Sequence, residues 1–391
     1  AGSGAPQQGA FRELNPADFL SRDEVTLDME KISGYLTGKT VLVTGGGGSI
    51  GSELCRQVMR FHPGKLLIFD IYENCAYELQ MELQQKYGRD IPVTVLIGSI
   101  RDKKRLDEVF ELTDRVSILR DGEYITTLNT KETNRAELIR YMVGREMTAT
   151  FPPRNAKIGD VALELRNLTG NGVKNISFQA RRGEILGISG LVGAGRTEIM
   201  KVVFGAEKAQ WGEIYVNGQK AEIRSPKDAM HKYGICLIPE DRKREGCFLG
   251  ETISWNLVYN VLEKISHAGV VDRKKEAEIA EYYGKAMRIK APNLDATKVG
   301  TLSGGNQQKV VVGKALATQS DIVIFDEPTR GIDVGAKYEI YELMNGLCEE
   351  GKCVVMVTSD MEELLGMSDR IVVFGEKCLA GELTKEEFSQ E

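Results

Sequence analysis

Histidine is scarce in this sequence: only His62, His231 and His267 occur, far apart along the chain. That spacing argues against a histidine-based metal cluster, which needs several imidazoles in one place. Cysteine occurs seven times, never as a C-x-x-C pair, and the number is odd. This excludes a disulfide scaffold and points to free thiols in a reducing compartment. Basic charge is not in excess: 51 Lys and Arg stand against 57 Asp and Glu, a net charge of −6. Nucleic-acid binders carry a basic stripe, so no nucleic-acid partner is expected. No apolar run reaches the roughly 18–20 residues that span a bilayer, and no signal peptide is recognisable. Any membrane role is therefore expected to come through a partner. The opening AGSGAPQQGA is small and polar, and residues 1–38 are expected to be a leader that is flexible at its start. A length of 391 residues leaves room for two or three domains.

From Thr40 the sequence alternates strand and helix. TVLV is followed by TGGGGSIG and a helical SELCRQVMR. KLLIF ends at Asp70, a helix runs through YELQMELQQKY, and VTVLI is a third strand, followed by GSIRD. This β-α-β-α-β order predicts a parallel sheet. Gly45, Gly48 and Gly51 lie at the first strand-to-helix turn, where glycine permits a tight turn and the approach of a pyrophosphate. The N–H groups opening the next helix would face that anion. Asp70, about 25 residues on, is placed to accept hydrogen bonds from an adenosine ribose. GKTVLVTGGGGSIGSELCRQV and LLIFDIYENCAYELQMEL resemble the nucleotide-sugar 4,6-dehydratases of polysaccharide biosynthesis, extended short-chain dehydrogenase/reductases that use NAD(P). The resemblance covers about residues 11–111. It implies cofactor roles for Gly45, Gly48, Gly51 and Asp70, and places Asp102 near the adenine. The family's later strands, catalytic Lys region and sugar-binding domain have no counterpart. Tyr35 and Lys39 do form Y-x-x-x-K, but ahead of the first strand, where the pattern is fortuitous.

A fresh domain is expected from Ala156. LELRNL and VKNISFQ read as antiparallel strands, and GEILGISGLVGAGRTEIMKVVFG as strand, glycine turn and helix. Gly190, Gly193, Gly195, Arg196 and Thr197 belong to a turn of G-x-x-x-x-G-K-[ST] form, with Arg196 in place of Lys. Such a loop cradles phosphates on its N–H groups, and the Thr hydroxyl is a Mg²⁺ ligand. Arg is also cationic, but its planar fork is bulkier than an ammonium. IVIFDEP ends a buried strand at Asp326 and Glu327. An Asp there suits Mg²⁺, making Thr197 and Asp326 the candidate metal ligands. The adjacent Glu suits a general base that orients a water. Ser303, Gly304 and Gly305 open a helix and offer a further anion site.

With GEILGISGLVGAGRTE, IPEDRKREG, LSGGNQQK and DEPTRGIDVGAK, the region from about residue 106 to 391 resembles ABC transporter ATPases. It is most similar to the second half of the two-domain ATP-binding subunits of ribose- and galactoside-type importers. The resemblance implies ATP and Mg²⁺ as ligands, with Glu327 and Asp326 catalytic. It implies membrane permease subunits and a sugar-binding protein as partners, and a location on the inner face of the cell membrane. Ser303 to Gly305 would then serve the P-loop of another ABC half. Two positions depart from the family: Ser359 stands where active members have a switch His, and Glu240 where they have Gln. No stacking aromatic is evident in LTGNGVKN. Residues 230–262 are the expected membrane-partner surface.

LDEVFELTDRVSILRDGEYI, residues 106–125, matches the pattern of MEELLGMSDRIVVFGEKCLAG, residues 361–381, at an offset of 255. The subunits resembled contain two homologous halves, so residues 106–127 are similar to the tail of a first half. YMVGREMTATFPPR, residues 141–154, resembles the connector between halves. The expected organisation is a leader (1–38), a truncated Rossmann NAD(P)-binding fragment (39–105), a first-half tail with connector (106–155), and a P-loop ABC ATPase domain (156–391) with antiparallel β and helical subdomains. The junction falls between Lys103 and Glu111. Val116–Leu119 then has two possible placements: parallel beside Thr40–Val43, or in a hairpin turning at Asp121-Gly122. The leading reading is the ATP-binding subunit of a carbohydrate ABC importer in chimeric form. The alternative is an NAD(P)-dependent nucleotide-sugar dehydratase, and a third is a binding protein without turnover.

Overall fold

A computed structural model describes residues 29–70, 73–88, 91–98, 113–120, 123–134, 137–138, 140–141, 151–332 and 334–388. Asp102, the junction at 103–111, the turn 121–122 and most of the leader lie outside them. The chain forms two compact units, Ala1–Leu138 and Ile139–Glu391.

In the first unit a helix α1 (Met29–Leu36) precedes β1 (Thr40–Thr44), α2 (Ser49–Met59), β2 (Lys65–Asp70), α3 (Glu73–Tyr87) and β3 (Val93–Ile97). The strands form a parallel sheet in the order β1-β2-β3. In the central strand Leu66, Leu67, Ile68 and Phe69 are all buried, as expected of a parallel strand covered on both faces. Ala76, Leu79 and Leu83 line one stripe of α3 and join Leu66, Ile68 and Cys55 in the core. β4 (Arg115–Arg120) and β5 (Glu123–Asn129) form a separate antiparallel pair ending in a 3₁₀ turn, Thr130–Glu132. Of the two placements open to Val116–Leu119, the hairpin is the one found. A two-residue connection delivers Glu123 opposite Arg120 without a long crossover, and Ser117 and Thr127 bond across the pair at 2.8 Å.

The second unit has a four-stranded antiparallel sheet, ordered β10-β9-β6-β7, from β6 (Val161–Gly170), β7 (Val173–Arg181), β9 (Ala209–Val216) and β10 (Gln219–Ala221). Its main sheet is ordered β11-β14-β15-β8-β16-β17. These strands are β8 (Ile185–Gly190), β11 (Ile235–Ile238), β14 (Ile322–Asp326), β15 (Cys353–Val357), β16 (Arg370–Gly375) and β17 (Cys378–Thr384). The first five are parallel, and β17 returns antiparallel to β16. Helix α4 (Arg196–Val203) follows β8, and α5 (Pro226–Lys232) precedes β11. A small helical region holds α6 (Ile253–Val258), the short pair β12 (Ser266–His267) and β13 (Val270–Val271), α7 (Arg273–Ala286) and α8 (Gly304–Leu316). Then come α9 (Val334–Glu349) and α10 (Met361–Met367). Every residue of β14 and β15 is buried, which explains their unbroken apolar sequence.

The internal repeat extends to detail. Arg115 faces Asn129 as Arg370 faces Thr384, an offset of 255 positions. The register shift between Ile118 and Leu119 recurs between Val373 and Phe374, and the 3₁₀ turn Thr130–Glu132 recurs as Lys385–Glu387. The end of the connector sequence is bound to the second unit. Phe151 packs on Tyr341 at 5.3 Å between ring centroids, and Asn345 donates to the carbonyls of Pro152 and Pro153. Arg154 is ion-paired with Asp369.

Candidate nucleotide-binding site

The loop 190–197 leaves the carboxyl end of β8 in the middle of the parallel strands, where α/β sheets bind ligands. Gly190 and Gly195 have φ of 151° and 101°. A Cβ on Gly190 would stand 2.6 Å from the Phe374 carbonyl, and one on Gly195 2.7 Å from Val173. Only glycine meets both demands. Gly193, with φ of 81°, lies between them, and α4 starts at Arg196.

The loop and the strand ends bring the candidate residues together. Thr197 Oγ1 donates to Asp326 Oδ1 at 3.1 Å. Burial pushes the Asp326 carboxyl up to about 6, against the opposing hydrogen bond from Thr197. Glu327 has a left-handed φ of 47°, held by its N–H on the Val357 carbonyl at 2.8 Å. A non-glycine residue held there stores strain, of order 1–3 kcal/mol, at the point where a reacting water would be oriented. Ser359 Oγ donates to Glu327 Oε2 at 3.0 Å, which orients that carboxylate. Arg196 is buried and turned inward. It donates to the Thr358 carbonyl at 2.9 Å and lies 3.6 Å from Glu327 Oε1.

Other candidates stand apart. Glu240 is ion-paired with Arg330. Ser303 caps α8 and accepts the Asn306 N–H at 3.5 Å. Gly304 abuts Arg242 and the Gly331 carbonyl, so a side chain there would collide, and Gly305 is buried. Among the described residues no hydrogen bond joins Ser303–Gly305 to Gly190–Thr197. Two residues not singled out from sequence support the site: Thr358, whose hydroxyl bonds Glu363, and Glu363 itself, whose carboxyl is raised by burial. The Asp360-x-x-Glu363 spacing, in which Asp360 caps α10, was the available signal.

In the first unit the glycine turn is largely closed on itself. Gly46, Gly47 and Gly48 donate to Phe69 O, Asp70 Oδ2 and Gly45 O, at 3.3, 2.8 and 3.0 Å. Gly45 has φ of 66°, and a Cβ on Gly51 would overlap the Gly45 carbonyl. Asp70 is buried and serves the loop, whereas the sequence suggested it for a ribose. The N–H groups at the start of α2 remain the part of this turn suited to an anion.

A phosphate loop, a Thr–Asp pair at the strand ends and a helix-capping SGG define a P-loop nucleotide-binding cassette. Comparison with known proteins places it further. Residues 173–330 match the ABC transporter family, and residues 41–141 match a family described as polysaccharide biosynthesis protein. The second match runs past the expected junction. The chain is 47% identical over 297 residues to a ribose import ATP-binding protein of Clostridium perfringens, covering 75% of this chain and 59% of that one. With the ribose import ATP-binding protein of Geobacillus kaustophilus it shares 40% over 383 residues, covering 97% and 74%. A dimeric ATP-binding cassette solved in a post-hydrolysis state with ADP and Pi superimposes with a TM-score of 0.50 at 23% identity, over 58% of this chain and all of that one. The chain belongs to the family of ABC transporter ATP-binding proteins, and it spans 59% of the length of the Clostridium perfringens relatives. No helix among the described residues is long and apolar enough to cross a membrane.

Proposed function

We propose that this chain is the second nucleotide-binding half of an ATP-binding subunit of a carbohydrate ABC importer, working at the membrane with permease subunits and a sugar-binding protein. The observation that carries this reading is the joining of Thr197 to Asp326, beside Glu327, under the glycine loop. The loop N–H groups would hold the ATP phosphates. Thr197 and Asp326 offer two hard oxygen ligands that fit Mg²⁺, which supplies charge neutralisation at the phosphates. Glu327, positioned by Ser359, would act as general base toward water. Arg196 pairs with the half-buried Glu327, and this competes with contact to phosphate. Turnover by this chain alone is expected to be slow, because Ser303–Gly305 would serve a P-loop of another half. ATP binding to the purified chain should therefore be measurable by calorimetry and be weakened at least tenfold by Thr197→Ala. Steady-state hydrolysis should be near background, and rise when a separately expressed first half is added. Fast hydrolysis by the isolated chain, or binding unaffected by Thr197→Ala, would sink the proposal. The dehydratase reading is favoured only by the N-terminal resemblance and the family match over residues 41–141, and the Asp70 carboxylate there is engaged by the Gly47 N–H.

A further inference from the structure

The main sheet brings the backbone of a second basic residue beside the phosphate loop. β16 runs parallel to β8 with Phe374 opposite Gly190, so the turn after β16 opens at the same end as loop 190–197. That turn consists of Glu376 and Lys377, with φ of 49° and 64°. Two successive left-handed residues make the hairpin geometry that favours Asn-Gly or Asp-Gly. The corresponding pair in the first hairpin is indeed Asp121-Gly122. Lys377 thus stands where the repeat has glycine, and a side chain kept in a disfavoured backbone conformation points to a use for it.

The surroundings indicate which use. The Lys377 carbonyl accepts the Lys174 N–H at 2.9 Å, tying the turn to the start of β7. Its Cα stands 3.6 Å from the place of a Cβ on Gly195, and its Nζ 3.4 Å from that of one on Gly172. Asn171, beside Gly172, donates to the Glu198 carbonyl in α4. The exposed lysine therefore lies over the seam between the phosphate loop and the β6–β7 turn. Among the described residues no side chain is ion-paired with its ammonium. Arg196, the cation within the loop itself, is occupied by Thr358 and Glu327.

We infer that Lys377 is a nucleotide-binding residue that contacts the phosphate chain at the mouth of the loop, an inference that rests on nucleotide binding at Gly190–Thr197. Lys377→Gly and Lys377→Gln test it, with Thr197→Ala as reference and MgADP as titrant in calorimetry. Both Lys377 variants should bind MgADP roughly three- to tenfold more weakly at low salt. The difference from the unmodified chain should shrink as ionic strength rises. The glycine variant should melt no lower than the unmodified chain, because it relieves the turn. Unchanged MgADP affinity in both variants, with Thr197→Ala still weakening it, would remove Lys377 from the site and leave the cassette reading standing. A loss undiminished at high salt would also overturn an ionic role. No nucleotide binding by the unmodified chain would overturn both readings.

Discussion

Asp326 shows how a site residue is set by its burial. At the end of a fully buried strand its carboxyl rises from 3.8 to about 6. The folded state thus holds its proton more tightly than the unfolded chain does. Stability then falls as pH rises from about 4 to about 6, and the loss persists at pH 7. A shift of this size corresponds to about 3 kcal/mol. Asp326→Asn keeps an acceptor for Thr197 and removes the charge. It should stabilise the protein by up to about 3 kcal/mol at pH 7 and by nothing below about pH 4, read from urea unfolding across that range. The same variant should lose Mg-nucleotide binding, as expected where function retains a destabilising group. A stability gain independent of pH would refute this account of Asp326. Glu327 and Arg196 differ in kind. The sequence placed both at the site, but neither the left-handed backbone of Glu327 nor the inward turn of Arg196 is written in residue type.

At the scale of elements, the two hairpins show how far pattern reading reaches. The short apolar strands VSIL and IVVF, the turn after each and the constant offset predict one motif used twice, and register, bulge and 3₁₀ end agree. Their neighbours differ. β16 is inserted between β17 and β8, whereas β4 is hydrogen-bonded only to β5 among the described residues. A strand's partner depends on what else folds nearby, which local alternation does not encode. The docking of the connector end is also tertiary. Gly366 on α10 leaves room for the Phe151 ring, and a Cβ there would fall 2.3 Å from it. Gly366→Ala raises helix propensity by about 1 kcal/mol, yet overpacking costs typically 1–3 kcal/mol. The variant should be destabilised by up to about 2 kcal/mol net, measured as a lower urea midpoint with unchanged slope. A gain in stability would show that Phe151 is not held there.

On the scale of the whole chain, an ABC cassette follows a three-stranded parallel β-α-β segment. Each unit has its own core,, so ligand binding by one can be tested without the other. NAD(P) should bind the first unit weakly, with a dissociation constant no tighter than roughly micromolar. The Gly47 N–H is taken by Asp70, and those of Gly46 and Gly48 by the carbonyls of Phe69 and Gly45, so freeing them costs hydrogen bonds. Calorimetry with NAD and NADP checks this, and submicromolar affinity would overturn it.

The sequence by itself determined the two α/β folds and the repeat. Glycine spacing, apolar strands and terminal acids are local consequences of backbone sterics and burial, readable without a partner in view. The same logic located Gly190–Thr197, Asp326 and Glu327, and the resemblance to ABC ATPases added Ser359; the fold brings Thr197 to Asp326, and Ser359 and Arg196 to Glu327. Only tertiary structure decided which partners the charged residues around the site engage. Arg196 turns inward to Glu327, Glu240 pairs with Arg330, Asp70 closes on Gly47, and the turn at Lys377, far along the chain, is bonded to Lys174. These outcomes rest on contacts between distant segments. Desolvation and charge pairing select among rotamers that the residue types alone leave equally open.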